Sequence, residues 1–135
     1  YSMTLNIRVI APDRTVWDAN AEEVILPSST GQLGILTGHI PLLTALDIGV
    51  MRVRIDKDWV PIVLMGGFAE IDNNKITILV NGAEETIDID ISLAQKNLEE
   101  ATAKLTQAIS TKDKIEATQN IRKARARLQA VVTIN

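Results

Sequence analysis

The hydrophobic period of this chain changes once, at Ser92. Upstream of it, apolar residues recur at every second position, the spacing of a strand with one buried face. Downstream they recur every three to four residues, the spacing of a helix. Two periods in series predict two unlike halves, a sheet over residues 1–91 and a helical unit over 92–135.

Leu5, Ile7 and Val9 alternate with Thr4, Asn6 and Arg8, and Pro12-Asp13-Arg14 turns the chain. Val16-Trp17 and Glu23–Leu26 read as short strands, the second closed by Pro27-Ser28-Ser29. Leu42, Leu43 and Leu46 precede an expected turn at Asp47–Gly49. Met51, Val53 and Ile55 alternate cleanly with Arg52, Arg54 and Asp56, and Asp56-Lys57-Asp58 leads into Trp59–Met65. Pro61 cannot donate to a ladder, so its part of the strand is placed at an edge or bulge. Phe68–Ile71 follows Gly66-Gly67, and Asp72-Asn73-Asn74 is a hairpin signal, because asparagine tolerates the left-handed turn conformation. Ile76, Ile78 and Val80 form another strand, and the alternation of Ile87, Ile89 and Ile91 predicts one more. Many short strands, frequent turns and no crossover helices imply an antiparallel β-sandwich or barrel.

At Ser92 the pattern Ser92-Leu93-Ala94-Gln95 offers a capping box. Ala94, Leu98, Ala101, Leu105 and Ala108 then form one helical seam. Ser110–Asp113 breaks it, and Asp113 with Glu116 offers a second box. Ala117, Ile121, Ala124, Leu128 and Val131 carry a second seam, so the two helices are expected to pair as an antiparallel hairpin. A buried leucine contributes about 1.5–3 kcal/mol and an alanine methyl about 0.8, so a seam rich in alanine docks weakly. A weakly held hairpin suits a switch, because a partner with a better surface can draw it away.

The segment Gly31-Gln32-Leu33-Gly34-Ile35-Leu36-Thr37-Gly38-His39-Ile40-Pro41-Leu42-Leu43-Thr44 holds three glycines and the only histidine of the chain. It is no phosphate loop: Gly31 and Gly38 have the wrong spacing and no lysine follows Gly38, and G-x-G-x-x-G fails as well. Gly31, Gly34 and Gly38 are expected at tight bends, with Leu33, Ile35 and Leu36 buried between them.

Composition removes several function classes. The 135 residues include no cysteine and one histidine, which excludes disulfides, thiolate metal sites and a histidine-rich zinc site. A net charge of −3 argues against nucleic-acid binding, and 3% aromatic residues offer no stacking platform. No apolar run approaches the roughly 20 residues of a spanning helix, and no signal peptide is read, so any membrane association is expected through partners. Tyr1-Ser2 read as a remnant ahead of a natural start at Met3.

Nothing marks an enzyme. His39 has neither a serine nor a carboxylate placed as a triad partner and reads as a loop histidine bonded to backbone. The run Glu84, Glu85, Asp88 and Asp90 could bind a metal or act as acid and base, but reads as a solvated face, with Asp88 and Asp90 on one side of a strand. Arg122, Lys123, Arg125 and Arg127 concentrate positive charge on the second helix, against the net sign of the chain. They read either as a solvated face balancing the helix dipole or as a surface for an acidic partner.

The pattern G-x-L-G-I-L-x-G-H-x-P-L-L-T resembles the ε subunit of F-type ATP synthases. Met3-Thr4-Leu5-Asn6, Val16-Trp17-Asp18, Leu64-Met65-Gly66-Gly67-Phe68-Ala69, Asn73-Asn74, Leu79-Val80-Asn81 and Asp88-Ile89-Asp90 are similar to its chloroplast and cyanobacterial branch. The resemblance spans nearly the whole chain. It implies an N-terminal β-sandwich with a C-terminal helical hairpin, in a non-catalytic central-stalk subunit without cofactor or metal. The implied partners are γ, the c-ring and the α/β catalytic head. The implied place is peripheral on the thylakoid or plasma membrane, on its stromal or cytoplasmic side. By the resemblance, Gln32 and His39 face the c-ring, and Arg122, Lys123, Arg125 and Arg127 meet an acidic loop of the catalytic β subunit, so that the hairpin inhibits ATP hydrolysis. Some bacterial relatives bind ATP through [I/L]-D-x-x-R-A. Here Ile89, Asp90 and Ala94 match, but Leu93 replaces the arginine and cannot pair with phosphate. The alternative, a nucleotide-sensing module whose hairpin closes on ATP, keeps only Asp90 and Arg122 as weak candidates.

Overall fold

A computed structural model describes residues 4–132; the expected start at Met3 lies outside the described residues. Eight strands are followed by two helices: β1 (Leu5–Ala11), β2 (Arg14–Ala21), β3 (Glu23–Ser28), β4 (Gly31–Leu36), β5 (Leu42–Ile55), β6 (Asp58–Asp72), β7 (Lys75–Val80), β8 (Ala83–Glu85), α1 (Ile91–Gln107) and α2 (Thr111–Val132). The sheet runs β2-β1-β7-β6-β5-β3-β4, with β8 added to β6, and does not close into a barrel. Pairing is antiparallel except between β1 and β7, which run parallel and bring the first strand beside the seventh.

Leu5, Ile7 and Val9 are fully buried while Thr4, Asn6 and Arg8 are exposed, as their alternation requires. They join Val24, Leu26, Ile35, Met51, Val53, Ile62, Leu64, Ile71, Ile76 and Ile78 in one core to which no helical residue contributes. The sheet thus forms its own interior. The hairpin at Asn73-Asn74 has φ of 53° and 63°, the left-handed pair expected of asparagine. Asp56 and Lys57 adopt the same conformation at the β5–β6 turn.

Three local expectations fail, each for a physical reason. No turn breaks the chain at Asp47–Gly49; β5 runs unbroken, and the irregularity falls in its pairing with β3 between Ile25 and Ser28. Gly66 and Gly67 likewise lie inside one long β6, where they take positive φ values of 84° and 147° without ending the strand. The alternating isoleucines 87, 89 and 91 form no strand. Thr86–Asp88 is a 3₁₀ turn, Ile87 is 86% exposed and Ile91 opens α1. Pro61, by contrast, sits where β8 has stopped pairing at Ile62, so one flank of β6 is a local edge there.

The helix caps also differ from the expected boxes. Asp90, not Ser92, caps α1, its carboxylate accepting the Leu93 N–H at 3.1 Å. Ser110, not Asp113, begins α2, its Oγ accepting the Asp113 N–H at 3.1 Å. In both cases the capping residue lies two to three residues before the first residue of the box pattern. The centre of each seam holds, with Ala94 and Ala101 of α1 and Ala117, Ile121 and Ala124 of α2 buried, whereas Leu98, Leu105, Leu128 and Val131 are half-buried and Ala108 lies past the end of α1. α2 lies on the sheet along β5 and β6, and α1 packs on α2.

Candidate functional site

The features that can meet partners fall in three places: the glycine-rich segment, the outer face of the sheet, and the junction between sheet and hairpin.

In the glycine-rich segment, Gly31 and Gly38 take positive φ at the two ends of β4. Gly34 does not bend; it is a mid-strand residue paired with Ile25. Ile35 is buried, Leu33 half-buried and Leu36 54% exposed, so the expected burial holds for one of the three leucine and isoleucine positions in full. The β3–β4 turn is knitted by hydroxyls: Ser28 Oγ lies 3.0 Å from Thr30 Oγ1 and 3.4 Å from Thr44 Oγ1. Gln32 is exposed next to that turn, opposite Pro27. His39 lies past the other end of β4. Its ring Nδ1–H donates to the Ile40 carbonyl at 2.7 Å, and Gly38 N–H donates to Asn74 Oδ1 at 2.7 Å. Strand rise alone puts roughly 13 Å between residues 32 and 36, so Gln32 and His39 are not brought together.

On the outer face, Ala45 on β5, Phe68 on β6, Leu79 on β7 and Ile10 on β1 stand directly opposite one another in turn. They form one apolar row across four strands. Phe68 is 56% exposed, Leu79 53%, and Leu43, two positions from Ala45 on the same face, 69%. An exposed apolar row of this kind marks an interaction surface. Sequence reading did not single it out, because in strands with one buried face the outward positions are expected to be polar.

At the junction, Val50 and Val63 are buried with Ala126 and Ala130 of α2, flanked by Ile48, Met65 and Ile89. Ala126 and Ala130 lie outside the seam that pairs the helices and face the sheet instead. At the rim of this patch, Arg127 binds Glu84 of β8 with two parallel bonds, Nε to Oε1 at 2.8 Å and Nη2 to Oε2 at 2.7 Å. The hydrogen bonds that Arg127 donates to Glu84 hold its pKa above its usual value, against the opposite pull of burial. With its pKa raised, Arg127 stays cationic throughout the pH range in which the chain is folded, so the pair does not lose its cation near neutrality. Glu84 is therefore no part of a solvated acidic run, although Asp88 and Asp90 are exposed. Nor do these two share a strand face, since one ends the 3₁₀ turn and the other caps α1.

Of the six cations of α2, the four in the cluster Arg122–Arg127 split into two pairs. Arg122 and Arg125 are exposed, whereas Lys123 and Arg127, one turn apart, are half-buried and line a cleft with Asn97, Glu100, Lys104 and Asn120. A neighbouring cleft is lined by Glu84, Asp88, Asp90, Leu93, Asn97 and Arg127. It holds Asp90 but not Arg122, so these weak nucleotide candidates do not converge. Its three carboxylates face one arginine already bound to Glu84, which is a poor setting for a polyphosphate. No group of three or more histidine, aspartate or glutamate side chains placed to hold a metal occurs among the described residues. No helix among them is long and apolar enough to cross a membrane.

Comparison with known proteins agrees with this geometry. Residues 4–86 match the family described as ATP synthase, Delta/Epsilon chain, beta-sandwich domain, and residues 88–131 match its long alpha-helix domain. The ATP synthase epsilon chain, chloroplastic, of Porphyra purpurea is 77% identical over 128 residues, covering 95% of this chain and 96% of that relative. The ATP synthase epsilon chain of Thermosynechococcus vestitus is 63% identical over 131 residues, covering 95% of each. A chain in the Euglena gracilis mitochondrial ATP synthase (OSCP/F1/c-ring) shares the fold, with a TM-score of 0.85 at 22% identity over 97% of this chain and 82% of that one. The sandwich-plus-hairpin fold, the two matching family regions and these identities over nearly full length together place the chain in the epsilon-chain family of ATP synthase, as a non-catalytic subunit of that enzyme.

Proposed function

We propose that this chain is a rotor subunit of the central stalk, in which the sandwich holds γ and the c-ring and the hairpin restrains ATP hydrolysis by the α/β head. The observation that carries this reading is the unequal attachment of the two halves. The sheet has a complete core of its own, while α2 meets it over a patch in which only two valines and two alanines are buried, with Ile48, Met65 and Ile89 packed alongside and one ion pair at the rim. A torque-bearing part must be rigid and a regulatory part must be able to leave, and this division suits both.

The apolar row Phe68–Leu79, with Leu43, is the surface offered to γ, because it is the exposed apolar part of the rigid half. Gln32 and His39 are the residues offered to the c-ring. Arg122, Lys123, Arg125 and Arg127 are offered to an acidic loop of the β subunit. Attachment to the thylakoid or plasma membrane, on the stromal or cytoplasmic side, then comes through these partners.

Co-purification tests the reading. The parent chain is expected to retain γ and the c-ring, and Phe68→Ser with Leu79→Ser to lose γ while keeping its circular dichroism spectrum. Retention of γ by a folded double variant would move the shaft contact elsewhere, and failure of the parent to retain γ or the c-ring would overturn the rotor reading.

A further inference from the structure

Among the described residues, Arg127–Glu84 is the one ion pair that crosses from hairpin to sheet. Arg8–Asp18 and Arg54–Glu23 lie within the sheet, and Lys96–Glu100 within α1. It is also the shortest of the four and the only one with two hydrogen bonds in fork geometry. Such paired, charge-assisted bonds are the strongest that a guanidinium makes. Both partners are about three-quarters covered, with side-chain exposures of 26% and 29%. Removing one of them leaves the other charge half-buried and unpaired.

The apolar patch beside this pair is small, and two of its four buried members are alanines. The pair therefore carries a larger share of docking than it would beneath a leucine-rich helix. Arg127 also spends Nε and Nη2 on Glu84, so its side-on fork is occupied while the hairpin is docked and only the end-on Nη1 edge is left.

We propose that Arg127–Glu84 is the latch of the hairpin, and that docking and the presentation of the side-on fork of Arg127 to a partner carboxylate exclude each other. Release from Glu84 exposes the fork, and an acidic partner group replaces the lost carboxylate bond for bond. Exposed Arg122 and Arg125 can meet such a partner first, while Arg127 engages only after the latch opens. The partner half of this inference rests on the inhibitory reading above; the latch itself does not.

The chain has no cysteine, so two can be introduced at the exposed positions Asp58 on the sheet and Gln119 on α2 and carry spin labels. Electron–electron distance measurement on the full chain then reads docked against released hairpin. The parent is expected to give mainly one distance. Glu84→Gln and Arg127→Gln should each raise the ratio of released to docked forms about tenfold, and the charge swap Glu84→Arg with Arg127→Glu should return it toward the parent. Unchanged distances in both single variants overturn the latch, and so does a swap that opens the hairpin as far as they do. ATP hydrolysis by the catalytic head with γ is the separate readout. If Glu84→Gln opens the hairpin and deepens inhibition, the exchange of carboxylates stands. If it opens the hairpin and leaves inhibition unchanged, the latch stands and the inhibitory reading falls.

Discussion

Gly67 faces the Leu79 backbone so closely that no side chain can stand at residue 67. A Cβ there would run into the Leu79 carbonyl oxygen and lie 2.9 Å from Val80 Cα, and the residue has φ of 147°. Gly67 pairs with Val80 and is followed by Phe68, which stands opposite Leu79 in the outer apolar row. Both atoms it would strike are backbone in a paired strand, so neither can yield cheaply. Gly67→Ala is expected to destabilise the sandwich by about 2–3 kcal/mol. Gly34→Ala, with nothing within 4 Å of its Cβ, should stay within about 0.5 kcal/mol of the parent. Urea unfolding of the two variants side by side checks the contrast.

The cap of α1 gives a second expectation. Asp90 Oδ1 accepts the Leu93 N–H, whereas no hydrogen bond of the Ser92 side chain joins the cap. Asp90→Ala should therefore weaken the first turn of α1 by about 1 kcal/mol, and Ser92→Ala should leave it unchanged. Amide exchange at Leu93 and Ala94 reads this directly. Equal protection loss in both variants would restore the serine box.

These cases show how far the residues alone could lead. The strand alternation up to Val80, the asparagine hairpin and the alanines at the centre of each helical seam are local patterns that appear in the fold where their spacing puts them, whereas the alternation of Ile87, Ile89 and Ile91 does not. The helix start was misplaced because Ser92-x-x-Gln95 satisfies the box pattern while Asp90 sits within an isoleucine alternation that mimics a strand. Glu84 and Arg127 stand 43 residues apart, and no periodicity links them. The sheet-facing role of Ala126 and Ala130 was equally hidden, since a helix that packs on two neighbours carries two overlapping stripes. The parallel β1–β7 pair is a topological fact that alternation cannot express.

Gln32 and His39, offered to the c-ring, stand at opposite ends of β4 and share no hydrogen bond. Sites this far apart act independently. Gln32→Ala and His39→Ala should each reduce coupling of proton flow to ATP synthesis, and the double variant should show the product of the two effects. Reconstituted vesicles give the measurement, with circular dichroism expected to be unchanged. Full coupling in the double variant would remove both residues from the contact.

The junction cleft leads to an expectation about ATP. Leu93 supplies no donor, Arg127 is held by Glu84, and Asp88 and Asp90 add negative charge. Titration calorimetry of the isolated chain should find no micromolar affinity for ATP. A micromolar site would return the nucleotide-sensing alternative to consideration and point to Lys123 and Lys104 in the adjoining cleft.

The last expectation concerns inhibition of ATP hydrolysis. The sheet core contains no residue of either helix, so a chain ending before Ser92 should keep its strands folded and continue to bind γ. It should no longer inhibit. Replacing Arg122, Lys123, Arg125 and Arg127 together by glutamine should have a graded effect, because each exposed pair contributes at most about 1 kcal/mol and several must act at once. A total near 2 kcal/mol corresponds to a roughly thirty-fold higher concentration for half-inhibition. The quadruple variant also loses the latch, so its hairpin is released more often yet inhibits less. That combination separates charge recognition by the partner from simple availability of the hairpin. Activity of the catalytic head with γ, titrated with each variant, is the measurement. If both inhibit as fully as the parent, inhibition resides in the sandwich and the hairpin serves another purpose.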